Sequence, residues 1–510
     1  MNETTVKGAK SSVLTVISSD TQHITEVSEE FSLPDYIPEV RRILHTKASV
    51  LPEGKFISDK DNGASVDFDG TVTYNIIYTD DEGMLRSVPI SSSYEDSVLL
   101  SGHPTSVFID TSPDNVTCRA TAPRKLTVKT RLKSRLLAFS DEKMDENITP
   151  RALSDEMYIE RKSKKVDSVS LNSLSMQNIK LSDKLDAPEG VEITPIMCDA
   201  TLSVTDCKVK NGSVSVRGSA AVKCLCLSEG KDIVLTNSIP IYEELSADGA
   251  EPTDMARCFG RCVSLSVSND TSSPSSLYFD LNCEIEGEYY RNEENIITED
   301  CYSTKWEVDT DYRNADIYSL VTAKNHTASI SDKFKRKDSE IEAITDVICD
   351  VFAEKTDISN GKACLGGRLN VTVIGKTKDK DGKAGEYTSE SYDAPFRIDV
   401  PVDSEYVIPR VAYSYAIPNA RYENDKFCIN ADIIYSYALI KKDTVKILSN
   451  ATLKKDAEHK KDSSCVRVFF PKDSDILWEV AKRFHTTERK IMEDNSLTTK
   501  SLEGVKSIII

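Results

Sequence analysis

The sequence has no apolar run approaching the roughly 20 residues that cross a bilayer, so no transmembrane segment is expected. Its first stretch, MNETTVKGAKSSVLTVISSD, holds no apolar core followed by a cleavage site. That pattern predicts a protein that is not exported and stays in the cytoplasm. A basic excess is also missing: 64 Lys and Arg stand against 83 Asp and Glu, a net charge of −19. An acidic surface repels phosphate backbones, which disfavours nucleic acid as a partner. Zinc-knuckle spacing is absent from the 13 cysteines. Cys224 and Cys226 lie two apart in a strand-like run, and Cys258 and Cys262 lie four apart. Reduced thiols serving as small core side chains are the better reading, and no metal is expected.

Catalytic motifs are as scarce. Gly375-Lys376-Thr377 lacks the glycine five positions earlier that a phosphate loop requires, because Asn370 stands there. The six histidines show no metal-ligand spacing, and no G-x-S-x-G occurs. The expectation is a chain that is not an enzyme and takes no cofactor.

What the chain does contain is repetition. Its 510 residues suit about three or four domains. Three stretches begin with Ser, an acid, a charged residue and a large apolar one: Ser28 to Phe31, Ser182 to Leu185, and Ser331 to Phe334. Downstream, Gly70, Gly218 and Gly367 each open an alternating run, and Pro89, Pro240 and Pro395 follow a glycine-bearing turn. Three ordered landmarks at a period near 150 residues indicate a triplicated domain. Alternation of apolar and polar residues, as in GSVSVRGSAAVKCLCL, argues half-buried strands. The predicted fold is mainly β: three repeated antiparallel β-sandwich or barrel domains, strung as an elongated body, plus a small βααβ tail. The landmark glycines mark either a bulge or a simple turn.

The predicted division is an N-terminal segment at 1–20, β repeats at 21–158, 159–312 and 313–452, a linker at 453–464, and a tail at 465–510. The linker, LKKDAEHKKDSS, is charged and aperiodic and reads as a tether. In the tail, CVRVFF alternates like a short strand. Asp473 or Ser474 is placed to cap a helix whose apolar face carries Ile476, Leu477, Val480, Ala481 and Phe484. Thr486 or Thr487 caps a second helix, and KSIII closes with a strand.

The tail resembles a LysM domain through Asp475, Leu477, Trp478, Val480, Ala481, Asn495, Leu497, Leu502 and Gly504. Such domains bind N-acetylglucosamine polymers with two loops. Carried onto this chain, the loops are Asp473, Ser474, Asp475 and Ile476, then Ser496, Leu497 and Thr498. Ser474 replaces the usual glycine and Ile476 the usual threonine, so a Cβ enters the tight turn and a hydrogen-bond donor is lost. Trp478 reads as packing within the module rather than as a ligand platform.

Three β repeats followed by one LysM resemble spore-coat morphogenetic proteins whose bodies carry copies of the SPOCS domain. The matching residues are Ser28, Ser182 and Ser331, the three glycines and the three prolines. The resemblance implies a scaffold in the mother cell at the forespore surface. It implies contact with the coat's basement-layer ATPase or another coat protein. The alternative is a peptidoglycan- or other N-acetylglucosamine-glycan-binding protein anchored through its LysM.

One further feature comes from the residues alone. In KLTVKTRLKSRLL, Lys129, Arg131, Lys133 and Arg135 share one strand face, opposite Leu126, Val128, Leu132 and Leu136. This basic stripe either docks an acidic partner or a neighbouring repeat, or is a solvated face balanced by acids on adjacent strands.

Overall fold

Alternation along the strands decides which side chains meet. In β6 (Lys125–Lys143) the even positions Leu126, Val128, Thr130, Leu132, Ser134 and Leu136 are buried, whereas Lys129 and Arg131 are exposed. The computed structural model describes residues 13–143, 158–459 and 466–510, less 175, 271–272, 336–340, 355, 378–384, 404–405 and 473. The chain is mainly β.

Residues 13–143 form two three-stranded antiparallel sheets. In one, β1 (Val13–Ser32) and β5 (Ser106–Ala122) flank β6. In the other, β2 (Arg42–Lys60), β3 (Gly63–Thr79) and β4 (Leu85–Leu100) run as a meander. Val27, Leu126, Val128 and Leu132 from the first sheet meet Val66, Phe68, Val72 and Tyr74 from the second.

The strand order recurs in residues 159–303. There β7 (Ile159–Ser173) and β8 (Gln177–Asp186) pair one side of β13 (Ser276–Ser303), and β12 (Met255–Asn269) pairs the other. The meander is β9 (Thr194–Lys210), β10 (Ser213–Ser228) and β11 (Lys231–Ser246). In residues 306–458, β14 (Trp306–Lys335) and β19 (Val407–Tyr415), with β20 (Asn419–Glu423), flank β21 (Lys426–Glu458). Beside them run β15 (Ile341–Ala353), the short β16 (Asp357–Ser359), β17 (Lys362–Thr377) and β18 (Tyr387–Pro401).

The landmark residues fall at matching places in these sheets. Phe31 faces Leu126, Leu185 faces Leu277, and Phe334 faces Phe427. Gly70, Gly218 and Gly367 lie mid-strand, opposite Tyr94, Ile241 and Phe396. A Cβ there would stand 2.5 Å from the Leu51 carbonyl, 2.1 Å from that of Ser203 and 2.3 Å from that of Phe352. Close backbone approach, not a turn, requires glycine at these positions. The prolines agree less well. Pro240 and Pro395 sit one residue past the glycine's register, but Pro89 faces Asn75, five past Gly70.

Three expectations from the sequence are corrected. Strand β1 begins at Val13 because it pairs with β6 as far as Lys143, so part of the predicted 1–20 segment belongs to the sheet. The predicted linker is strand up to Glu458, and only residues beyond 459 lie outside the described ones. Two of its charges have partners on the neighbouring chain segment: Lys454 pairs with Asp309 and Glu458 with Lys305. Third, the body is not elongated. One apolar cluster joins Leu137 and Phe139, Val169 and Tyr290, and Tyr318 and Ile440, drawing on all three units. A second joins Leu44 and Ile77, Met197 and Leu225, and Ile348 and Ile374.

Polar groups also bridge the units. Lys47 Nζ of the first lies 2.6 Å from Asp199 Oδ2 of the second and 3.4 Å from the Tyr415 hydroxyl of the third. Burial alone would lower the Lys47 amine, but Asp199 and Tyr415 hold it well above its ordinary value. Arg257 donates from Nε and Nη2 to Glu288 at 2.9 and 3.2 Å, and Arg410 of the third unit donates to the same carboxylate. Burial raises the Glu288 carboxyl, yet the two arginines outweigh it and bring it to about 2.

Candidate functional site

The tail builds up from short local motifs. Asp475 Oδ2 accepts from the Lys472 backbone N–H at 2.7 Å and closes the turn after β22 (Val468–Phe469). Helix α1 (Leu477–Arg483) follows, with Ile476 at its N-cap and no side-chain cap. Ser474 is therefore not the expected cap, and Asp473 lies outside the described residues. Ile476 is exposed, not on the buried helix face, because it precedes the first turn. Thr487 caps α2 (Glu488–Asp494), accepting from the Lys490 N–H at 3.0 Å. The Asn495 amide donates to the carbonyls of Ile491 and Ile509, and its oxygen accepts from the Ile509 N–H. That one side chain ties the end of α2 to β23 (Ile508–Ile509), which pairs antiparallel with β22.

Leu477, Trp478, Val480, Ala481, Ile491, Leu502 and Ile508 form the tail's apolar cluster, together with Tyr302 from the body. Trp478 packs there as expected, and it also reaches outside the tail. Its Nε1–H donates to Asp300 Oδ2 at 2.9 Å. Lys482, one helical turn on, donates to both Asp300 oxygens at 2.8 and 2.7 Å, and the Tyr312 hydroxyl donates to Oδ1 at 2.5 Å. Burial pushes the Asp300 carboxyl up, but the bonds from Lys482, Tyr312 and Trp478 outweigh it and hold it below the usual carboxylate range. The Tyr302 hydroxyl donates to the Thr486 carbonyl at 2.7 Å, and its ring meets Trp478 edge-on at 4.9 Å. His459, at the end of the body, stacks on His485 at 3.5 Å.

This dock leaves the tail loops outward. Ser474 and Ile476 are exposed and Asp475 half-buried; Ser496 and Thr498 are exposed and Leu497 half-buried against the tail cluster. The first loop is held by the Lys472–Asp475 turn, the second by the Leu497 N–H on the Met492 carbonyl at 2.9 Å. Ser496 takes φ +51, the left-handed turn after α2.

The basic stripe sits on the outer face of β6, as its spacing predicts. Arg131 pairs with Asp114 on β5. Arg135 grips Asp20 on β1 at 2.8 and 2.7 Å and also donates to the Pro409 carbonyl of the third unit. Two of its four cations are thus engaged within the chain, one of them across units. Lys129 is exposed and Lys133 half-buried.

Asp300, Tyr302 and Tyr312 have no counterpart among the residues singled out in the sequence. The only available signal was the spacing of Trp478 and Lys482, four apart on one helix face and both donors. It implies an acceptor but not its address.

A cavity of about 730 Å³ lies where β2, β5, β9, β12, β15 and β19 face one another across the three units. Lys47 holds Asp199 at its wall, and His45 Nε2 lies 3.2 Å from Asp350 Oδ2 without a hydrogen bond. Burial pushes the adjoining Cys349 thiol up to about 12, which keeps it protonated and poorly nucleophilic. Among the described residues no three His, Cys, Asp or Glu are placed to hold a metal, and no helix is long and apolar enough to cross a membrane. No family model, curated protein or solved structure matches the chain.

Proposed function

We propose that the chain is a non-enzymatic scaffold of spore-envelope assembly. In this reading its body is three SPOCS-like β-sandwiches and its tail is a LysM domain. The tail loops contact a protein partner, the basement-layer ATPase or another coat protein, in the cytoplasm of the mother cell. One observation carries the reading: the tail is clamped to the body through α1, so that Ser474, Ile476, Ser496 and Thr498 are offered outward from a rigid mount. A rigid mount suits a scaffold, because it fixes the direction in which a partner is held and lowers the ordering cost of binding. The recurring sheet order and the shared places of the landmark glycines support the repeat assignment.

The test is co-sedimentation of the full chain with insoluble peptidoglycan and with chitin, beside a binding assay with the purified coat ATPase. Binding to the ATPase that falls when Ile476 and Thr498 are changed to Glu, with no sedimentation on either glycan, supports the scaffold. Saturable glycan binding lost in the same variant replaces it with the wall-anchor reading.

A further inference from the structure

Among the described residues, the tail's two strands leave one face uncovered. Phe469 and Ile508 turn toward the helices and join the tail cluster. Alternation sends Val468 and its register partner Ile509 to the other side, and Val466 and Phe470, flanking the two-residue strand β22, are exposed beside them. These four side chains are 76%, 52%, 71% and 46% exposed. The helices and the dock at Asp300 lie on the opposite side of the sheet.

We infer that this face seats against the same face of a second copy of the chain, giving a two-fold dimer joined tail to tail. Three observations select that occupant. The first is size. The four exposed side chains amount to roughly 400 Å² per chain, and with a polar rim two copies bury about 1,000 Å², the lower bound of a specific interface. The second is charge. The segment 465–510 holds eight basic and seven acidic residues, a net +1, so all of the chain's negative charge resides in the body. Two bodies repel each other, and the near-neutral tail is where two copies approach at least cost. The third is symmetry: about a two-fold axis one apolar patch meets its own copy, and only the residues nearest the axis face themselves. The contact goes beyond the proposed function and uses none of the loop residues.

Sedimentation velocity of the full chain, up to about 300 µM, tests it. The expected result is a rise from the 56.6 kDa monomer toward a dimer, with a dissociation constant in the micromolar range and tighter association as added salt screens the bodies. Val468→Glu and Phe470→Glu each place two like charges across the axis, and each is expected to weaken association at least about 30-fold. Because both side chains are exposed, the emission of buried Trp478 stays unchanged and reports an intact tail. Wild-type protein that remains monomeric throughout overturns the proposal. So does a dimer that survives undiminished in both variants. Glycan or ATPase binding by the loops is read separately, so failure here leaves the proposed function standing, and the reverse also holds.

Discussion

Replacing Asp300 by alanine removes the acceptor shared by Trp478, Lys482 and Tyr312. Two terms set the cost. The Trp478 Nε1–H is left buried without a partner, at about 1–3 kcal/mol. The ion pair contributes less than a fully buried one, because Lys482 is a third exposed, and about 1 kcal/mol is a fair discount. The sum, about 3 kcal/mol, shifts the docked-to-released ratio roughly a hundredfold toward release. The tail's own cluster is kept, so the helices persist and only the contact opens. The chain has two tryptophans, so a Trp306→Phe background isolates Trp478. The expected result is red-shifted emission and stronger iodide quenching in Asp300→Ala, with an intermediate change in Asp300→Asn, which keeps a neutral acceptor. If Trp478 is quenched equally with and without Asp300, the clamp has no energetic weight and the reasoning fails.

The dock also predicts a pH profile. The lowered Asp300 carboxyl contributes fully above about pH 4 and is lost as pH falls through its folded value; the raised Lys482 amine contributes below about pH 10 and is lost as pH rises through its own. Within that plateau, desolvation and then stacked His459 lower His485, so acid below about pH 6.5 favours the released tail; Trp478 quenching measured against pH will show this shoulder in the wild type and not in His485→Asn. Glu288→Gln removes the carboxylate that Arg257 and Arg410 share, an expected loss of about 3–5 kcal/mol, read as a lower urea midpoint. The same variant removes the Glu288 share of the wild type's acid-side fall, a contribution present above about pH 4.3 and lost toward its folded value of about 2. Gly218→Ala drives a Cβ to 2.1 Å from the Ser203 carbonyl; backbone gives way poorly, and a loss of about 1–3 kcal/mol is expected in the same titration.

Legibility in the sequence followed the range of the interaction. Period two placed Leu126, Val128, Leu132 and Leu136 inward and the basic stripe outward, because a strand's faces are set by near neighbours. The tail's order of strand, two helices and strand was readable from spacing and from the Thr487 cap for the same reason, although the cap expected for the first helix is absent. The closure of the three units was not. Leu137, Tyr290 and Ile440 meet across some 150 residues each, and no local period encodes such contacts. Trp478 finds Asp300 across 178 residues. The misread linker shows a different failure. Its charges looked like a solvated tether, yet Lys454 and Glu458 are each one half of an ion pair whose other half, Asp309 or Lys305, lies far upstream.

The two apolar clusters shared by the units bear on how such a chain could arise and be altered. In a stacked array each repeat touches only its neighbours, and copies can be gained or lost one at a time. Here every unit contributes to both clusters, so each is a keystone for the other two. Deleting one would bare apolar side chains such as Phe139, Tyr290 or Ile440 of the other two to water. The three units are therefore interdependent: the two clusters that close the body exist only while all three are present.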